Sequence, residues 1–190
     1  MDPSGIITTV AGNGGACCTG DGGPATQAAI GSPVRLRVAT DGSILFGPDG
    51  NTASRGVMRV RKIPPDGIMT TVAGTGTIGF SGDGGPATSA RISLIRAVLP
   101  ASDGGFYPAD WANNRVRRVD GNGTINTIAG TGTAGFSGDG GAARAAQLHH
   151  PEALAFGPDG APYVLDGGNG NQIGQKRVRR IGVDGIVRTV

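Results

Sequence analysis

The 190-residue sequence predicts an all-β protein assembled from repeats, and three observations carry that reading. A glycine-rich stretch occurs three times in register, as Thr75-Gly-Thr-Ile-Gly-Phe-Ser-Gly-Asp-Gly-Gly-Pro-Ala-Thr88, as Thr131 to Arg144, and in worn form as Asn13 to Thr26. Asp21, Asp83 and Asp139 mark the same place in each copy, 62 and 56 residues apart, the signature of a repeat architecture. Glycine makes up 37 of the 190 residues without a three-residue period, which excludes collagen and calls for many tight turns. Aromatic content is only 4%, too low for one thick core.

Each period reads as short strands in a fixed order. Gly5-Ile-Ile-Thr-Thr-Val-Ala-Gly12 is β-branched and bounded by glycine, and recurs as 67–74, 123–130 and, in part, 185–190. After the glycine loop come Ala-rich pieces, 24–30, 86–92 and 142–148, read as short helical turns pinned by Ile30, Ile92 and Leu148. The next strands, Val34 to Ala39, Arg96 to Leu99 and Glu152 to Phe156, end at Asp-Gly turns. The strands after the turns end near Asp49, Asp110 and Asp166. A variable loop follows, shortest in the middle copy, and then the best-kept strand: Arg59 to Ile63, Arg115 to Val119, Arg177 to Ile181. Val60 and Ile63 are three apart, so they share a core face only across a bulge or a strand end. Four antiparallel strands per period, repeated radially, make a β-propeller. Periods of 13–74, 75–130 and 131–190 follow, with 1–12 as an extra strand of a preceding unit.

Charge and rare residues narrow the chemistry. The net charge is +3, and 15 of the 17 basic residues are arginine. Because the arginines recur with the repeat, strand use outweighs an anion or nucleic-acid surface. Cys17 and Cys18 replace the Gly and Phe of the other copies, and Cys18 reads as a small stand-in for a packed Phe. His149 and His150 are adjacent, and neighbours on a strand point apart. The Gly-Asp-Gly-Gly aspartates read as turn formers, because one carboxylate per loop is thin for calcium. Asp110 and Asp166 stand near Arg115 and Arg177 and read as carboxylates tying loop to strand, while Trp111 is a candidate exposed anchor. No apolar run approaches the ~18 residues of a membrane span. Met1-Asp-Pro-Ser-Gly5 lacks the basic and apolar regions of a secretory leader.

The residues resemble NHL repeats. The middle copy carries the pattern most fully: Asp103-Gly104, Phe106-Tyr107, Ala109-Asp110, Asn113-Asn114 and Arg115-Val116. The Gly-Phe-Ser-Gly-Asp-Gly-Gly loop resembles the long variant in secreted bacterial proteins and in teneurin-like and Rhs-like propellers. The resemblance implies an all-β propeller of four-stranded blades. Three blades would lie in this chain, as a partial propeller or as half of a six-bladed ring. It also implies an extracellular or cell-surface setting.

The function expected is a non-catalytic binding or scaffold module that presents loops to a protein or carbohydrate partner, to another copy of itself, or to the remainder of a longer chain. The candidate binding residues are Asp110, Trp111, Asn113, Arg115, Asp166, Arg177 and His149, with no cofactor or metal site expected. The alternative is a fragment of a lyase- or lactonase-type propeller enzyme. Such enzymes gather several histidines at the channel, and this chain has two. Arg-mediated RNA or anion binding is the third reading, weakened by the few aromatics available for base stacking.

Overall fold

The computed structural model describes residues 5–15, 18–48, 58–167 and 176–190. Cys17, Asp49 and most of the two longer variable loops lie outside the described residues.

The chain is all-β, with 3-10 turns as its helical elements, among the described residues. The first sheet is β1 (Pro33–Val38), β2 (Ile44–Pro48), β3 (Met58–Ile63) and β4 (Thr70–Gly76), in that order. The second holds β6 (Ile95–Pro100), β7 (Phe106–Asp110), β8 (Arg115–Val119) and β9 (Thr124–Ala129), with the two-residue β5 (Gly85–Pro86) added outside β9. The third is β10 (Ala153–Phe156), β11 (Pro162–Asp166), β12 (Arg177–Ile181) and β13 (Val187–Thr189). All pairings within the sheets are antiparallel. Asp-Gly turns join the first two strands of each, with Asp41, Asp103 and Asp159 accepting the backbone N–H two residues on.

The expected bulge is present. The β3–β4 register shifts on either side of Val60, and the β8–β9 register shifts between Val116 and Arg117. As a result Val116 and Arg117, consecutive residues, are both buried.

Gly5 to Gly12 carries no strand, contrary to expectation. Its counterparts in β4, β9 and β13 are each held by an Arg-bearing third strand, β3, β8 or β12.

The second and third glycine loops pass from one sheet to the next. Pro24, β5 and Ala142 pair with Ile68, β9 and Ile186, so each loop edges the sheet of its own period. The Ala-rich pieces then form 3-10 turns at Ala25–Gln27, Ala87–Ser89 and Ala143–Ala145. Alanine suits this place because Gly20, Gly82 and Gly138 lie against Ala28, Ala90 and Ala146, all fully buried. At φ near +90°, a Cβ on Gly82 would stand 2.7 Å from the Ala90 Cβ.

The core lies between sheets rather than within one. One cluster joins Val60 and Ala73 to Ile92, Ile95 and Val98, and another joins Val116 and Ala129 to Leu148, Leu154 and Val164. The first strands of the three sheets are neighbours, with β6 beside both β1 and β10.

Candidate functional site

The best-kept strand locks each glycine loop to its sheet. Arg117 is wholly buried, and its Nη2 donates to Asp83 Oδ1 at 2.7 Å and to the Ser81 carbonyl at 3.1 Å. Arg179 repeats this with Asp139 at 2.8 Å and the Ser137 carbonyl at 3.0 Å. Arg61 does the same with Asp21 at 2.9 Å and the Thr19 carbonyl at 3.3 Å. The three aspartates therefore do more than form turns: each is the loop's ionic anchor. Charge-assisted bonds of this kind are about twice as strong as neutral ones.

A second carboxylate completes the lock in two copies. Asp110 Oδ2 lies 3.5 Å from Arg117 Nη1, and Asp166 Oδ2 lies 3.6 Å from Arg179 Nη1. The carboxylates thus tie loop to strand through the third residue of the arginine strand, Arg117 or Arg179, whose buried guanidinium is directed at them. Asp110 also accepts from Ser93 N at 2.7 Å and from Asn113 Nδ2 at 2.9 Å, and Asp166 accepts from His149 N at 2.6 Å. Burial pushes the Asp110 carboxyl up to about 6, against hydrogen bonds from Asn113 and Ser93 and the charge of Arg117, which pull it down. Burial raises Asp166 in the same way. Pro48 takes the register position of Asp110 in the first sheet. Arg61 there keeps the Asp21 carboxylate as its ionic partner.

Arg115 and Arg177 lie over the loop rings, 3.7 Å from the Phe80 centroid and 3.8 Å from that of Phe136. Phe80 and Phe136 are part exposed under these guanidiniums, so the position of Cys18 is a cation platform rather than a core site. The fourth residue of the strand reaches the hairpin turn: Lys62 to Asp41, Arg118 to Asp103, Arg180 to Asp159. Asn113 further donates to the Gly79 carbonyl at 2.8 Å. Asp110, Asn113, Arg115, Asp166 and Arg177 are thus all engaged with loops or strands of the frame, Arg115 also donating to the Thr131 carbonyl of the next glycine loop at 2.5 Å.

Trp111 and His149 belong to a different group. Trp111 opens a 3-10 turn, Trp111–Asn113, that exists because the middle loop is short. It is half-buried, not an exposed anchor, and its ring stacks on His150 at 3.9 Å and 11°. The Arg96 guanidinium lies 5.2 Å from the Trp111 centroid. His149 and His150 place their rings 4.7 Å apart on one side, against the expected divergence, because His150 adopts φ +54° and breaks the strand alternation. Burial, with the neighbouring His149, lowers the His150 pKa below its ordinary value, against a smaller raising effect of Glu152. A cleft of about 270 Å³ is lined by Arg35, Arg96, Trp111 and Glu152. Sequence reasoning singled out Trp111 and His149 but missed Arg35, Arg96 and Glu152. The available signal was their register: Arg96 and Glu152 are 56 residues apart, at the start of successive first strands.

The fold is that of a β-propeller. Among solved structures the chain is similar to a virginiamycin B lyase from Staphylococcus aureus (TM-score 0.51, 18% identity, 83% of this chain and 40% of that one). It is also similar to a gluconolactonase from Xanthomonas campestris (TM-score 0.52, 14% identity, 84% of this chain and 47% of that one). At these identities the likeness shows the fold alone. In sequence the chain is 31% identical over 189 residues to Teneurin-1 of Mus musculus, a match that takes in 89% of this chain and 7% of the relative. The chain thus spans less than a tenth of the length of that relative. No family model matches it.

Proposed function

We propose that the chain is a non-catalytic binding and scaffold module whose three sheets are NHL-type blades of 13–74, 75–130 and 131–190, forming part of a larger ring. The observation that carries this is the use made of the repeated charges. Asp83–Arg117–Asp110 and Asp139–Arg179–Asp166 are consumed in fixing loops to strands. The loops so fixed form a rigid frame for residues that do not repeat, Trp111 and His150 among them. Similarity to Teneurin-1 over most of the chain supports an extracellular or cell-surface setting and a protein or carbohydrate partner.

The lyase- or lactonase-type reading draws on one observation, the paired rings of His149 and His150 beside Trp111. The repeated arginines face their own loops and turns, which counts against RNA binding through them. Light scattering on the purified chain, with metal analysis and a hydrolysis and lyase substrate screen, tests the proposal. A stable dimer or a defined monomer without turnover supports it. Turnover that is lost in His150→Ala would replace it with the enzyme reading.

A further inference from the structure

The cleft at the start of the first strands is built differently from every lock described above. Arg35, Arg96 and Glu152 come from three consecutive sheets, on or beside the ends of β1, β6 and β10. Arg96 and Glu152 occupy equivalent register positions; Val34 holds that position in β1, and its neighbour Arg35, in the irregular stretch between Val34 and Arg37, lines the cleft with them. Arg35 holds φ +59°, a backbone conformation that costs an arginine energy and that this irregularity imposes. Neither Arg35 nor Arg96 has a carboxylate partner among the described residues, whereas Arg61, Arg117, Arg118, Arg179, Arg180 and Arg188 each have one. Arg96 Nε is buried without a hydrogen-bond partner among the described residues. Such a group is costly unless something supplies an acceptor.

The opposite wall has the opposite chemistry. Lys176 holds Glu152 Oε2 at 3.2 Å, which leaves Oε1 as an acceptor. Trp111, backed by the stacked ring of His150, lines the cleft with Glu152 and the two arginines. The volume is below the usual range for drug-sized ligands and suits a molecule of monosaccharide size.

We infer that this cleft binds a small hydroxy-carboxylate, a sugar acid of hexuronate type. Its carboxylate would lie between Arg35 and Arg96, its hydroxyls would donate to Glu152, and its ring would lie along Trp111. Guanidinium groups suit a carboxylate because they can donate two parallel hydrogen bonds. Glu152 selects against bare anions by repelling charge at the far end while accepting from hydroxyl groups. The inference rests on the reading of the chain as a binding module.

Trp111 is the single tryptophan of the chain, so its fluorescence reports from the cleft itself. The experiment titrates the purified chain with D-glucuronate, D-glucose and inorganic phosphate, reading Trp111 emission and heat. Glucuronate is expected to saturate at millimolar concentration or below, with glucose and phosphate each at least about tenfold weaker. Arg96→Ala and Arg35→Ala, both outside the core clusters, are each expected to weaken glucuronate about tenfold or more while thermal midpoints hold. Glu152→Gln is expected to narrow the gap between glucuronate and phosphate. Three results would overturn the inference: no saturation by about 10 mM glucuronate, equal binding of phosphate or glucose, or unchanged affinity in both arginine variants. Consumption of glucuronate after binding would uphold the cleft and overturn the non-catalytic reading. A failure to bind would overturn the cleft and leave the light-scattering result to decide the module.

Discussion

Replacing Arg117 with methionine removes the centre of one lock while keeping most of its volume. The wild-type side chain is wholly buried, with Asp83 at 2.7 Å, Asp110 at 3.5 Å and the Ser81 carbonyl at 3.1 Å. Its guanidinium also lies 4.7 Å from the Phe80 centroid. Asp83 is half exposed and recovers water when the partner goes, so most of the cost falls on Asp110. Breaking a buried pair from one side costs about 3–5 kcal/mol. That is a large fraction of the roughly 5–15 kcal/mol that holds a domain together. Urea unfolding followed by circular dichroism measures it as a lower midpoint. The double variant Arg117→Met/Asp110→Asn should recover about 2 kcal/mol or more, because the stranded charge is gone. The loss in Arg117→Met should also be smaller at pH 5 than at pH 8, where Asp110 must stay charged without its partner. A loss under about 1 kcal/mol, or one that is the same at both pH values and not relieved in the double variant, would refute the assignment of the lock.

Other outcomes follow from the same frame. The Asp110 carboxyl titrates near 6 in the fold, above its ordinary 3.8. Wild-type stability should therefore fall relative to Asp110→Asn as pH rises from about 4 to 7, by about 2 kcal/mol, in parallel urea titrations. Gly82→Ala should cost about 3 kcal/mol, since its Cβ would meet the Ala90 backbone at 2.8 Å and φ is +90°. Gly84→Ala, with φ +83° and open space, should cost only about 1–2 kcal/mol. Cys18→Phe should restore the platform of the other two copies beside Arg59 and Arg61 and raise stability by about 0.5–1 kcal/mol, measured by thermal melting. Phe136→Leu should lower it by a similar amount through Arg177.

The strands, the Asp-Gly turns and the bulge at Val60 were legible because each is set by neighbours in sequence. The lock was not, because an aspartate in a glycine loop satisfies a turn by itself and gives no local hint of a distant arginine. The hint lay in the spacing. Arg61 follows Asp21 by 40 residues, Arg117 follows Asp83 by 34, and Arg179 follows Asp139 by 40. The six-residue difference matches the extra length of the variable loop in the first and third copies, so both partners keep register while the loop between them changes. That Asp110 ties its loop to the arginine strand is legible in the sequence, but which arginine takes it is not, since Arg115 is its strand partner and Arg117 its ion-pair partner. Only the packed structure shows that Arg115 is turned to Phe80 instead. The histidine pair was misjudged because strand alternation was assumed where His150 takes a left-handed backbone. The cleft was hidden for a different reason: its walls come from three sheets, and no single period contains it.

Each ionic lock closes within a single period, since Asp83, Asp110 and Arg117 all lie between residues 75 and 130. A tandem copy of that stretch would arrive with its charges already neutralised and would ask nothing ionic of its neighbours. What it must match at either border is a set of alanine and aliphatic contacts of the kind seen at Ile92, Ile95 and Leu148, with a few hydrogen bonds such as Asn114 to the Gly132 carbonyl. The architecture can therefore lengthen or shorten by whole units without redesign. Individuality is left to the few positions, such as Trp111, that the copying does not govern.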